Sequence, residues 1–373
     1  MWKDRILATL LAVTITAAAT AAVVRFTPKK PAFTPAQLEQ GVTFDAAGVA
    51  AGETVASVDG NDATAELYVF WLGSECANLA NYGVDVAASW DTEIESGKSL
   101  RDFVQEDTLM AIKQQLVLEN LCTRYGVTLS DEDEAEIAAQ RAEYIELYGG
   151  EEAYLAELYR LGIGEEGFLR LSRTDYLYKE LYNAYQTPGS AIYASDDVLH
   201  AYAAGLGYIT VDQILISTAD PVTKEPLDEA KCAEKRALAE ELLWRLRDSA
   251  DPLGLFDELA DQYSEDPGRV TNPHGYTFTE GRMVSEFETA ARALGENEYS
   301  DLVQTQYGYH IILRRPLDVS AAANAVREQY FSALFLGEIE RAELQTTPAL
   351  EKLDPETVYT ALQNAQNRTE NAD

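Results

Sequence analysis

The chain is poor in the residues that build metal sites and disulfide frameworks. Its 373 residues include three cysteines and three histidines. Cys76, Cys122 and Cys232 are widely separated and lack metal-ligand spacing, so neither a metal site nor a disulfide scaffold is expected. A sparse, odd count suits a reducing compartment or an exported bacterial protein that does not rely on disulfides. Positive charge is also scarce, at 29 Lys and Arg against 63 Asp and Glu, a net charge of -34. The first thirty residues carry five basic side chains and one acid, so the remainder holds about 38 net negative charges. Such a surface repels phosphate backbones and excludes nucleic acid as a partner.

One long uncharged run stands out, Ile6 to Val24, which as a helix would span roughly 28 Å and match a bilayer core. Its length fits a retained anchor, and Ala19-Thr20-Ala21 offers the small residues of a signal-peptide cleavage site; both readings place the bulk of the chain outside the cytoplasm. No cysteine follows the run, so a lipoprotein anchor is not expected. The Pro-, Thr-, Ala- and Gly-rich stretch to about Gly52 has little periodicity and reads as a linker.

From there the texture is helical. A short strand closes at Asp59-Gly60, and helices follow to residue 186. Two of them open on capping boxes, Ser99 with Asp102 and Ser130 with Asp133. Tyr144, Tyr148, Tyr154, Tyr159, Tyr176, Tyr178, Tyr182 and Tyr185 crowd this region. They fit helix packing, or an aromatic surface that holds extended polypeptides. After Gly205-Leu206-Gly207 the pattern changes to strand, two helices, a Pro/Gly loop, a brief strand, a helix and two closing strands, an α+β unit of about 110 residues. Helix returns from Ala321. Neither helical piece looks able to fold alone, so residues 317–365 are expected to pack against 54–200 with the α+β unit inserted between them.

Four motifs stand in order in that unit. Phe256-Asp257-Glu258-Leu259-Ala260 leads into Tyr263-Ser264-Glu265-Asp266-Pro267-Gly268; Phe278 to Glu288 follows, and Thr305-Gln306-Tyr307-Gly308-Tyr309-His310-Ile311-Ile312 closes it. Together they resemble the parvulins, a family of peptidyl-prolyl cis/trans isomerases. The flanks are similar to exported bacterial foldases of the PrsA and SurA type, in which a split helical chaperone module carries a parvulin domain.

The resemblance implies an α+β fold laid out as a signal anchor or signal peptide (1–30), a linker (31–53), a helical module (54–205), a parvulin-like domain with an antiparallel sheet (206–316), the rest of the helical module (317–365) and a disordered tail (366–373). It implies a proline pocket of Phe278, Met283 and Phe287 and a polar cluster of Asp266, Thr305 and His310, with no cofactor and no metal. Its implied partners are unfolded or newly exported polypeptides with X-Pro bonds, and the membrane through the N-terminal segment.

Read singly, Met283 and Phe287 at i and i+4 are core residues, Asp266 is a turn residue and His310 is a core histidine. Two departures from the family bear on activity. Parvulins carry a histidine in the first strand, where this chain has Gln213, which hydrogen-bonds but cannot titrate. A Gly-Gly-Asp-Leu-Gly loop is replaced by Asn272-Pro273-His274-Gly275-Tyr276. The loop Thr218 to Glu225 holds one basic residue, Lys224, too few for a phosphate-directed site. The expectation is an exported, membrane-tethered foldase that isomerises X-Pro bonds; the alternative is a non-catalytic holdase on the same fold.

Overall fold

The computed structural model describes residues 33–368 apart from 96, 221, 222, 224 and 274. The uncharged run at 6–24, Lys224, His274 and the last five residues therefore lie outside the described residues. Among the described residues, no helix is long and apolar enough to cross a membrane.

The chain begins with α1 (Pro35–Gln40), α2 (Val42–Ala47), β1 (Thr54–Val58), β2 (Asn61–Thr64) and α3 (Ala65–Asn81). After a small hairpin, β3 (Glu93–Glu95) and β4 (Lys98–Ser99), come α4 (Leu100–Tyr125), α5 (Asp131–Tyr148), α6 (Glu151–Arg160) and α7 (Glu165–Gln186). Next are α8 (Asp196–Gly205), β5 (Ile209–Ser217), α9 (Glu229–Asp248), α10 (Pro252–Tyr263), β6 (Tyr276–Phe278), α11 (Ser285–Ala293), β7 (Val303–Thr305) and β8 (Gly308–Arg315). The last elements are α12 (Ala323–Arg341), β9 (Gln345–Thr346) and α13 (Pro355–Asn367).

Two compact units result. Of the described residues, one joins those up to Tyr193 with those from Leu334 onward; the other is Ala194–Ala333. The second is wider than the 206–316 read from sequence. It takes in α8 because Tyr202 donates its hydroxyl to the Gln329 carbonyl and Arg327 donates to the Ala194 carbonyl, at 3.2 and 3.1 Å.

The discontinuous unit is closed by its C-terminal piece. β9 pairs antiparallel with β1, Ala56 opposite Thr346, in the sheet β2-β1-β9. Both capping boxes form, since the Ser99 and Ser130 hydroxyls accept the backbone N–H of Asp102 and Asp133. Of the crowded tyrosines, Tyr154, Tyr159 and Tyr185 are buried and the other five half-buried, as helix packing requires.

The segment read as a linker is corrected from residue 33 onward. Thr34 and Gln37 form a capping box with Pro35 in the first turn, so α1 starts on ordinary helix signals. Phe33, Val42 and Val49 are buried, and the Phe33 ring lies 4.4 Å from that of Tyr159 with Arg160 and Arg368 against it. Likewise the expected tail starts late, because α13 runs to Asn367 and buries Ala365.

In the second unit the sheet order is β6-β5-β8-β7, antiparallel throughout. Side chains alternate across a strand, so β5 feeds two cores. Ile214 and Ile216, with Tyr309, Ile311 and Leu313 of β8, meet Leu242, Leu246, Phe256 and Leu259 of α9 and α10. Ile209 and Val211, with Ile312 and Phe278, meet Phe287 and Ala291 of α11. Gly308 opens β8 at φ 144°, where a Cβ would lie 2.3 Å from the Ile216 carbonyl oxygen, so only glycine fits there. That close pairing sets the register in which Leu215 opposes His310 and Gln213 opposes Ile312.

Candidate active site

This register puts Gln213, His310 and Thr305 on one face of the sheet, the face covered by α11. Val303 opposes His310 and Thr305 opposes Gly308, so β7 brings its threonine to the same side. Tyr276 opposes Val211, two residues along β5 from Gln213, and shares that face. Asp266 arrives from the loop after α10, where its Oδ1 accepts the Gly268 N–H at 2.9 Å.

The polar side chains form one continuous chain of hydrogen bonds. Asp266 Oδ2 accepts the Tyr276 hydroxyl at 2.7 Å and the Gln213 Nε2 amide at 2.8 Å. With its NH2 on a carboxylate, Gln213 turns Oε1 to His310 Nδ1 at 2.7 Å. An amide oxygen only accepts, so His310 donates from Nδ1. Nε2 is then the acceptor for the Thr305 hydroxyl at 2.7 Å, and Thr305 Oγ1 takes the Tyr307 N–H at 3.1 Å.

The Tyr276 hydroxyl, the His310 Nδ1–H and the Thr305 hydroxyl each have one acceptor, and the imidazole is neutral. Burial pushes the His310 pKa down to about 4, against the opposing pull of the Asp266 carboxylate. Burial and the bond to Asp266 push the Tyr276 hydroxyl upward, so it stays a donor.

Beside the chain lies an apolar patch. Phe278 and Phe287 are buried, half-buried Met283 packs against them, and the Phe287 ring sits edge-on to His310 at 5.4 Å and 73°. The seven residues singled out in the sequence therefore come together as a polar chain of four and an apolar group of three on the same face. Tyr276 was not among them. It comes from the replaced loop and was detectable as the residue two before Phe278 on a strand of period two. Among the described residues no group of His, Cys, Asp and Glu could hold a metal ion. The arrangement offers an apolar seat next to oriented donors, acceptors and one fixed negative charge.

Residues 214–315 match a family described as a PPIC-type PPIase domain, or Rotamase. The chain is similar to the foldase protein PrsA of Geobacillus kaustophilus, 36% identical over 92 residues that cover 24% of this chain and 33% of that one. PrsA of Oceanobacillus iheyensis is 28% identical over 267 residues, 70% of this chain and 74% of the relative. The crystal structure of PrsA from Bacillus subtilis aligns at 21% identity over 86% of this chain and 94% of that one, with a TM-score of 0.23. The chain spans 33% and 38% of the lengths of the two Geobacillus relatives. Residues 214–315, which carry Asp266, Thr305 and His310, are a PPIC-type PPIase domain of the parvulin type.

Proposed function

We propose that this protein is an extracytoplasmic foldase whose parvulin domain isomerises X-Pro bonds in newly exported polypeptides, held at the membrane by the uncharged segment at 6–24. The observation that carries the reading is the neutral His310, locked between Gln213 and Thr305 and edge-on to Phe287. An X-Pro bond resists twisting by ~18–20 kcal/mol because the amide is conjugated. Catalysis requires only that the twisted amide be bound better than the planar one. Phe278, Met283 and Phe287 seat the pyrrolidine ring. Asp266 supplies a fixed negative charge that disfavours the resonance form with charge on the amide oxygen, and Thr305, His310 and Gln213 hold the polar wall in one orientation. No cofactor, metal or phosphate recognition enters the reading.

The test is a proline-limited refolding reaction followed with the protein from residue 33 onward. Acceleration is expected, and Phe287→Ala should reduce it at least about tenfold, since truncating a buried aromatic removes both the seat and the ring against His310. No acceleration at any protein concentration would sink the isomerase reading. A second reading rests on Gln213, which cannot exchange a proton with His310: a holdase that binds chains without isomerising them. It predicts suppressed aggregation of an unfolded client in an assay where refolding is not accelerated.

A further inference from the structure

The pocket wall that carries Met283 belongs to the loop 279–284, and that loop has a buried anchor outside the polar chain. Glu288, 7% exposed, follows Phe287 on α11. Its Oε1 and Oε2 accept the Gly281 N–H at 3.0 and 3.1 Å, and Oε2 accepts the Met283 N–H at 3.2 Å. Arg292, one turn on, donates Nε to Oε1 at 2.9 Å and Nη1 to the Gly207 carbonyl at 2.9 Å. Its guanidinium carbon lies 6.0 Å from the centre of the Phe278 ring. The helix receives no side-chain cap from its own N-cap residue, Val284. The carboxylate instead reaches back past the helix start and fastens the loop, with Gly281 at φ +77° making the reversal.

We propose that Glu288 is a positioning residue for proline binding: it holds Met283 against Phe278 and Phe287 by clamping the backbone on either side of Arg282. The inference rests on the isomerase reading of that apolar group. Glutamine is the informative replacement. It keeps the shape but turns one oxygen, which accepts from two donors, into a donor facing them, so the clamp is lost on one side.

The experiment uses the protein from residue 33 onward as wild type, Glu288→Gln, Met283→Ala and the double variant. Isomerisation of an Ala-Pro peptide is measured across peptide concentrations by exchange NMR, beside amide hydrogen exchange. Glu288→Gln is expected to raise KM by about three- to tenfold, with kcat within about twofold, because the polar wall is untouched. Met283→Ala should do the same, and the double variant should be no worse than Met283→Ala alone, since both changes remove one wall. The Gly281 and Met283 amides should be protected in the wild type and released in Glu288→Gln while those of Ile311 and Ile312 stay protected.

Additive losses in the double variant, an unchanged KM in Glu288→Gln, or unprotected Gly281 and Met283 amides in the wild type would each overturn the assignment; the last holds even where the variant does not fold. A wild type that neither isomerises nor binds the peptide overturns the isomerase reading along with it. An active wild type with an unaffected Glu288→Gln overturns this inference alone.

Discussion

At the scale of single residues, the site turns on which way protons point. Gln213 cannot reverse without setting its carbonyl oxygen against Asp266, so it fixes His310 as the Nδ1–H tautomer, and burial keeps the ring neutral down to about pH 4. The folded value lies below the ~6.5 of an unfolded imidazole. Hence the unfolded chain takes the proton first, and the stability that His310 contributes is whole above pH ~6.5 and is lost as the pH falls toward 4. Isomerisation should accordingly be flat from about pH 8 to about pH 5 and fall only below that; an inflection near pH 6.5, which titration of an exposed imidazole would produce, would contradict the locked network. His310, Thr305 and Asp266 were legible in the sequence because they sit in motifs. The roles of Tyr276 and Glu288 were not, although Tyr276 stands two before Phe278 on its strand and Glu288 ends the third motif, because those roles depend on strand register and on a loop that doubles back.

Among the elements, long ones with their own signals were readable, and short ones stabilised by neighbours were not, even where, as in α1, a capping box stands at the start. The capping boxes at Ser99 and Ser130 are local chemistry, and each helix forms where its box stands. The helices α1 and α2 are six residues each, too short to hold in isolation, and they owe their order to burial of Phe33, Val42 and Val49. The same dependence appears at α13, which packs on α2 and α3. Leu362, 2% exposed, occupies space left by two glycines: a Cβ on Gly73 would come within 2.7 Å of its Cδ2, and one on Gly162, at φ +79°, within 3.1 Å of its Cδ1. With backbone on two sides the space cannot collapse. Leu362→Ala should therefore cost about 2–5 kcal/mol in urea unfolding of the discontinuous unit. A loss below about 1 kcal/mol would mean that α13 is not part of that core.

For the whole molecule, charge dominates. With 63 acidic and 29 basic residues, the acids outnumber the bases by more than two to one. Several arginines are shared among acids, as Arg101 is among Asp91, Asp354 and Glu356 and Arg269 between Asp212 and Asp261. The surplus field extends into solvent and favours encounter with cationic chains. It reaches about 30 Å at 0.01 M salt and about 8 Å at 0.15 M. Suppression of aggregation of a strongly basic unfolded polypeptide should therefore weaken steeply as salt rises over that range, while suppression for a client of near-zero charge should hold or improve, because apolar contacts are not screened. The comparison separates the two contributions in one titration. Equal salt dependence for both clients would mean that the acidic surface takes no part in capture and that its role is confined to keeping the protein itself dispersed.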